Sequence, residues 1–325
     1  MPRRGIAPTR SGVALDVAGT AGDGSATRAG RPPPARTLLL RHHAPYDWAA
    51  MLDFLAARAV QGMERVVDAT YARTVSLDGV HGTLSVGQAG PDALRVTVRF
   101  PEPSALPRIA GRLRRLFDLD ADPAPIAAHL SRDPRIAPLV ARRPGLRVPG
   151  AWDGFELAMR AVLGQQVSVA AAVRLAARLL AAHGEPLAHP AAGLTHAFPS
   201  PAVIAAADLR WLGMPTSRAA TLSAIAASVS SDPALLVGGD GLVASIRRWR
   251  AIRGVGEWTA QYIALRQLRE PDAFPAGDVA LMRALADADG RRPDAAALLA
   301  MAERWRPWRG YAAQHLWSDA GRRPA

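Results

Sequence analysis

The sequence predicts an α+β protein, in which a small N-terminal α/β domain (antiparallel sheet plus helices) precedes a larger, all-helical domain. Three observations carry this expectation. Between residues 38 and 117, stretches alternate apolar and polar side chains with period two, the signature of half-buried strands. From about residue 118 onward apolar residues recur at helical spacing and nothing reads as a strand. The length, 325 residues, lies near the upper size of a single core, which favours two domains.

Residues 1–37 are rich in Gly, Pro, Ala and Arg without lasting periodicity and read as a disordered leader. Val13-Ala14-Leu15 is too short an apolar run for a signal peptide. In the first domain, 38–117, Asp47 can cap a helix that presents Met51, Leu52, Leu55, Ala59 and Val60 on one face. Strands are expected over 71–77, 82–86 and 94–100, with Asp78-Gly79 as a hairpin turn, and 104–116 resumes a helical pattern. The second domain, 118–325, carries helical patterns at 124–130, 152–164, 169–184, 201–209, 216–230, 241–251, 256–268, 278–287, 294–304 and 308–320. Ser168 can cap the helix from Val169, Pro144-Gly145 and Pro149-Gly150 end segments, and Pro307 suits a first turn. Every apolar stretch is broken by Arg, Asp or Gly well short of a membrane span.

A net charge of +12 points to a polyanionic partner, most simply nucleic acid. The absence of cysteine removes disulfides, thiolate zinc sites, cysteine nucleophiles and cysteine-ligated clusters. There is no lysine either, so all 40 basic residues are arginine, and a lysine Schiff base or a Walker-type phosphate loop is excluded. The eight histidines show no metal-ligand spacing.

The most informative stretch is 250–278. A glycine hairpin, Gly254-Val255-Gly256, joins two helical patterns and leaves backbone N–H groups free at a helix start, a seat for a phosphate. The amides around Gly254, Gly256 and Glu257, with the Thr259 hydroxyl, could hold one DNA phosphate without reading a base. An ordinary tight helix connection would also use Gly-Val-Gly. The longer run Gly-Val-Gly-Glu-Trp-Thr-Ala-Gln-Tyr, its basic flanks and the later Pro-Ala-Gly-Asp favour the phosphate seat. Trp258 and Tyr262, four apart, share a helix face. Asp278 opens the apolar pattern Val279, Leu281, Met282, Leu285 and suits an N-cap as well as a catalytic carboxylate.

Residues 250–278 resemble the helix–hairpin–helix–Gly/Pro–Asp DNA glycosylases. Further segments narrow the resemblance to the DNA-3-methyladenine glycosylase II (AlkA-type) family: Pro45-Tyr46-Asp47-Trp48, 51–59, 143–147, 163–168, 212–215 and Trp305-Arg306-Pro307-Trp308-Arg309, in matching order over about residues 38–322. The resemblance implies a helical domain of two subdomains with the active-site cleft between them, and a monomeric base-excision enzyme acting on alkylated double-stranded DNA in the cytoplasm, at the nucleoid. Asp278 matches the family's catalytic aspartate, which would stabilise the oxocarbenium-like sugar as the base departs. The family match adds Trp317, Phe54 and Arg58 to Trp258 and Tyr262 as a pocket for the flipped base. Such rings attract a cationic base by ~0.5–2 kcal/mol per face. Trp305 and Trp308 read as core.

The loop 164–168 matches the segment that enters the minor groove, with Gln166 at the position of the plugging residue and Gln165 beside it as a DNA contact. In related bifunctional enzymes a lysine in the hairpin–helix segment attacks the sugar; Trp258 occupies that region here, so a monofunctional enzyme without lyase activity is expected. No catalytic cofactor is implied. A structural Na+ or K+ on the main-chain carbonyls of Arg250, Ile252 and Val255 is. Two other readings stay open: a non-catalytic helix–hairpin–helix DNA-binding protein, and a basic helical scaffold for other proteins.

Overall fold

A computed structural model describes residues 30–320; the expected leader lies outside them apart from its last eight residues. Of those, Ala35 to Thr37 already belong to strand β1 (Ala35–Arg41), so the first domain begins before residue 38. The chain continues through α1 (Trp48–Ala56), β2 (Glu64–Val67), β3 (Thr70–Leu77), β4 (Val80–Gln88), β5 (Ala93–Arg99) and α2 (Leu106–Leu116). The five strands form one antiparallel sheet in the order β1-β5-β4-β3-β2. Asp47 caps α1 by accepting the Ala50 N–H at 2.9 Å. Leu77 pairs with Val80 across a turn in which Asp78 and Gly79 both have positive φ, as the Asp-Gly signal predicts. Buried Val96 and Val98 of β5 pack with Ile109, Leu113 and Leu116 of α2, while Arg95 and Arg99 face solvent.

The second core is helical: α3 (Pro123–Leu130), α4 (Ala137–Arg142), α5 (Gly154–Leu163), α6 (Val169–His183), α7 (Pro201–Ala206), α8 (Thr216–Ser231), α9 (Leu242–Arg250), α10 (Glu257–Arg266), α11 (Val279–Ala284), α12 (Ala295–Ala302) and α13 (Arg309–Ala320). α4 was not expected, and α11 ends three residues before 287. Ser168 caps α6 through the Ala171 N–H. Trp305 is fully buried and Trp308 packs against this core. Among the described residues no helix is long and apolar enough to cross a membrane.

The expectation of no strand beyond 118 is wrong. β6 (Glu185–Ala191) and β7 (Leu194–Ala197) form a hairpin after α6. Pro186 and Pro190 and the lack of alternation hide β6 from a pattern reading; the hairpin has a single ladder, in which prolines are tolerated. It docks on the first domain, where the Gly62 carbonyl accepts the Thr195 N–H at 2.7 Å and His81 meets Glu185 at 2.7 Å.

A buried charge network also joins the two cores. Arg73 on β3 donates to Glu156 on α5 at 2.6 Å, and Arg160 on α5 donates to both Glu64 on β2 (2.8 Å) and Glu156 (2.9 Å). The Tyr71 hydroxyl closes it by donating to Glu64 at 2.7 Å. Burial alone would raise the Glu64 carboxyl, but Arg160 and Arg73 outweigh it and hold it below the usual glutamate value.

Candidate active site

Asp278 stands at the start of α11, placed by a turn in which its N–H donates to the Pro275 carbonyl at 2.9 Å. Pro275 is buried in that turn; Gly277 has no positive φ and a Cβ there would meet nothing within 4 Å, so the turn does not depend on glycine. The carboxylate is held by four N–H donors. Oδ1 accepts from Ala280 (2.9 Å), Leu281 (3.0 Å) and the Trp317 indole (3.1 Å), and Oδ2 accepts from the Trp258 indole at 2.8 Å. Oδ1 is committed to the helix, whereas Oδ2 keeps acceptor capacity for a substrate.

Two of the expected pocket residues, Trp258 and Trp317, meet this carboxylate, and the others adjoin them. Trp258 and Tyr262 lie face to face, centroids 5.1 Å apart and planes at 12°, and Trp317 meets Tyr262 edge-on at 6.5 Å. Rings in mutual contact leave no room between them, so only their outer faces are open to another ring. Phe54 approaches from α1 and Arg58 from just beyond its end, the Arg58 guanidinium 4.0 Å from the Phe54 ring centre. Arg160 fixes this approach by donating to the Arg58 carbonyl.

Arg266, absent from the sequence reading, links these parts. Its guanidinium lies 4.4 Å from the Phe54 centroid, 4.8 Å from Tyr262 and 5.4 Å from Trp317. It is only 2% exposed and donates to the Pro149 carbonyl at 2.8 Å and to Gln314 at 3.3 Å. Burial lowers its pKa to about 10, so it is charged at neutral pH. Burial would raise the Tyr262 phenol, but the charges of Arg266, Arg58 and Arg160 outweigh it and hold it below the usual tyrosine value. The signal was available: Trp258, Tyr262 and Arg266 are spaced i, i+4, i+8 along α10.

The hairpin between α9 and α10 differs in detail from expectation. Gly254 has φ +85°, and a Cβ there would lie 1.9 Å from the Thr221 hydroxyl, so only glycine fits. Gly256 has φ −85° and open space around its Cα, so its backbone makes no demand for glycine. Thr259 is buried, and its hydroxyl accepts the Gln165 amide at 2.9 Å, so it braces the loop after α5. Glu257 pairs with Arg250 at 3.0 Å, leaving its main-chain amide at the helix start. Gln166 is exposed at the tip of the loop with φ +55°. That loop and the hairpin flank a groove of about 360 Å³ lined by Gln165, Gln166, Arg218, Thr221, Arg253 and Gly254. Arg218 and Arg253 add two cations that the sequence reading did not single out.

Residues 37–153 match the AlkA N-terminal domain, and residues 159–310 match the HhH-GPD superfamily base excision DNA repair protein. The chain is 38% identical over 288 residues to DNA-3-methyladenine glycosylase 2 of Escherichia coli (strain K12), covering 86% of this chain and 96% of that protein. It is 41% identical over 282 residues to the probable bifunctional transcriptional activator/DNA repair enzyme AlkA of Mycobacterium tuberculosis (strain ATCC 25618 / H37Rv), covering 87% of this chain and 56% of that relative. The chain thus spans about half the length of the mycobacterial protein. Among solved structures, the 3-methyladenine DNA-glycosylase from Archaeoglobus fulgidus superposes with a TM-score of 0.76 at 21% identity, covering 86% of this chain and 96% of that one. A Clostridium acetobutylicum 8-oxoguanine glycosylase/lyase in complex with double-stranded DNA does so with 0.61 at 17% identity, covering 80% and 98%. Those two likenesses speak for the fold. The two successive domain matches and the end-to-end Escherichia coli relative establish that the chain belongs to the HhH-GPD superfamily of base excision DNA repair proteins, in the branch that carries an AlkA N-terminal domain.

Proposed function

We propose that this protein is a monofunctional DNA glycosylase that removes alkylated purines, such as 3-methyladenine and 7-methylguanine, from double-stranded DNA. The observation that carries the reading is the Asp278 carboxylate, hydrogen-bonded by two indoles of a ring-lined site. Backbone gripping alone needs neither the carboxylate nor the rings, which disfavours a non-catalytic DNA-binding role. The hairpin amides and the groove with Arg218 and Arg253 hold the DNA backbone, while the loop at Gln166 enters the gap left by the flipped base. The base stacks on the aromatic faces and the deoxyribose lies over Asp278 Oδ2. As the glycosidic bond breaks, its electron pair leaves with the base, and the carboxylate stabilises the positive sugar and orients the attacking water. A cationic base departs neutral, so no protein acid is required.

No hydrogen bond reaches the Arg250 or Val255 carbonyl among the described residues, and the Ile252 carbonyl accepts one, from Val255 N–H at 3.1 Å. The three fit a structural Na+ or K+, which would add positive charge beneath a phosphate. The enzyme acts as a monomer, in the cytoplasm at the nucleoid.

The test is single-turnover release of 7-methylguanine from methylated duplex. Asp278→Asn should cut it by about 10²–10³-fold while duplex binding persists, and equal release by the two proteins would refute the assigned role. With no lysine in the sequence, borohydride should trap no covalent enzyme–DNA adduct.

A further inference from the structure

The face of α10 that carries the rings is electrically polar. Trp258 sits at its first turn against the Asp278 carboxylate, Tyr262 one turn on, and Arg266 one turn further. Eight residues of helix separate the two ends by about 12 Å. Trp317 touches both, its indole N–H on Asp278 and its ring 5.4 Å from the Arg266 guanidinium. No carboxylate lies within ion-pairing distance of Arg266 among the described residues, and its partners are one carbonyl, one amide and the Tyr262 hydroxyl. Its Nε is buried without a partner. Of the other buried arginines, Arg73, Arg160 and Arg309 each meet carboxylates, whereas Arg147 is likewise served by main-chain carbonyls alone. An uncompensated buried cation is costly, and what sets Arg266 apart from Arg147 is its place against three rings of the site.

We propose that Arg266 is a specificity-determining residue at the leaving-group end of the site, acting through the Tyr262 and Trp317 rings with Asp278 as its opposite pole. The inference rests on the glycosylase reading above. In the reaction, the C1′–N bond breaks with its electron pair passing to the base, and the water oxygen bonds C1′ while one water proton is released to solvent. The base thus becomes more negative by one charge and the sugar transiently positive. A fixed cation on the base side and a fixed anion on the sugar side both favour that shift. The same cation repels a lesion that is positive before it leaves. It therefore weakens binding of a cationic base, an effect relieved as the bond breaks, and leaves binding of a neutral base alone.

The two effects separate in one experiment. Full-length wild type and Arg266→Met are compared for maximal single-turnover release of 7-methylguanine, and for affinity toward uncleavable 2′-fluoro duplexes carrying 7-methylguanine or neutral hypoxanthine. In Arg266→Met the maximal rate should fall about 10-fold, the size expected for a unit charge roughly 10 Å away at an effective dielectric near 20. Affinity for the cationic duplex should tighten by a similar factor while the neutral duplex changes less than about twofold. A merely structural role would weaken both duplexes together; that result, or an unchanged rate, overturns the inference. Arg266→Lys covers the case in which the methionine variant does not fold. Buried there, the ammonium loses its proton at an accessible pH, so the rate of R266K relative to wild type should be near one at low pH and decline as pH rises; a flat ratio overturns the inference. Wild type that releases no 7-methylguanine would refute the glycosylase reading instead, and the pair of affinities would still report on the charge.

Discussion

Four N–H groups converge on one carboxylate, and only two of them belong to its helix. The indoles of Trp258 and Trp317 come from α10 and α13, so the orientation of Asp278 depends on packing of three elements. Replacing Trp258 by Phe keeps a ring against Tyr262 but removes the donor to Oδ2. A hydrogen bond to a charged group is worth about 1.5–3 kcal/mol, so base release by Trp258→Phe should slow by about 10–100-fold. Single-turnover kinetics would check it, and a rate within twofold of wild type would show that the indole N–H does not aim the carboxylate. Trp258, Tyr262 and Asp278 were legible in the sequence because a helix face and a motif spacing are local properties. Arg266 was not, although it shares that face: an arginine at the end of an amphipathic helix reads as solvated, and its burial is decided by Phe54 and Trp317, 212 and 51 residues away in the sequence.

At the level of elements, the hairpin between α9 and α10 carries a requirement that its two glycines do not share. Gly254→Ala forces a Cβ against Thr221 in a left-handed conformation and should cost about 1–3 kcal/mol, seen as a lower melting temperature, together with weaker duplex binding as the hairpin shifts. Gly256→Ala, at φ −85° with nothing within 4 Å, should leave the melting temperature unchanged. Equal destabilisation by the two would mean that the hairpin is held by something other than the Gly254 contact. The sequence shows the hairpin because Gly-Val-Gly is its own punctuation, but the neighbour that makes Gly254 obligatory lies on α8. The strands missed by pattern reading have equally physical causes. β1 has three consecutive leucines, with Leu38 and Leu40 buried and Leu39 between them half-buried, so its alternation is blurred. β2 is only four residues long, and β6 contains two prolines.

For the molecule as a whole, the site exists only if the two cores keep their relation, since Phe54 and Arg58 come from the first domain and Asp278, Trp258 and Trp317 from the second. The network of Glu64, Arg73, Glu156, Arg160 and Tyr71 spans that junction, and Arg160 also holds the Arg58 carbonyl. Glu64 is its most sensitive member, because removing the carboxylate leaves Arg160 and Arg73 sharing Glu156 alone. Its carboxyl is depressed in the folded protein, so its stabilisation is fully present above the unfolded value, about pH 4.3, and is lost as pH falls through the lower folded value. Glu64→Gln should therefore be destabilised by about 3–5 kcal/mol at pH 7, and the gap in melting temperature from wild type should shrink as the pH is lowered below about 4. Carboxylates away from this network sit in the same surroundings in both proteins and cancel in the difference. A gap that stays constant from pH 7 to pH 3 would show that the Glu64 charge does not hold the two cores together.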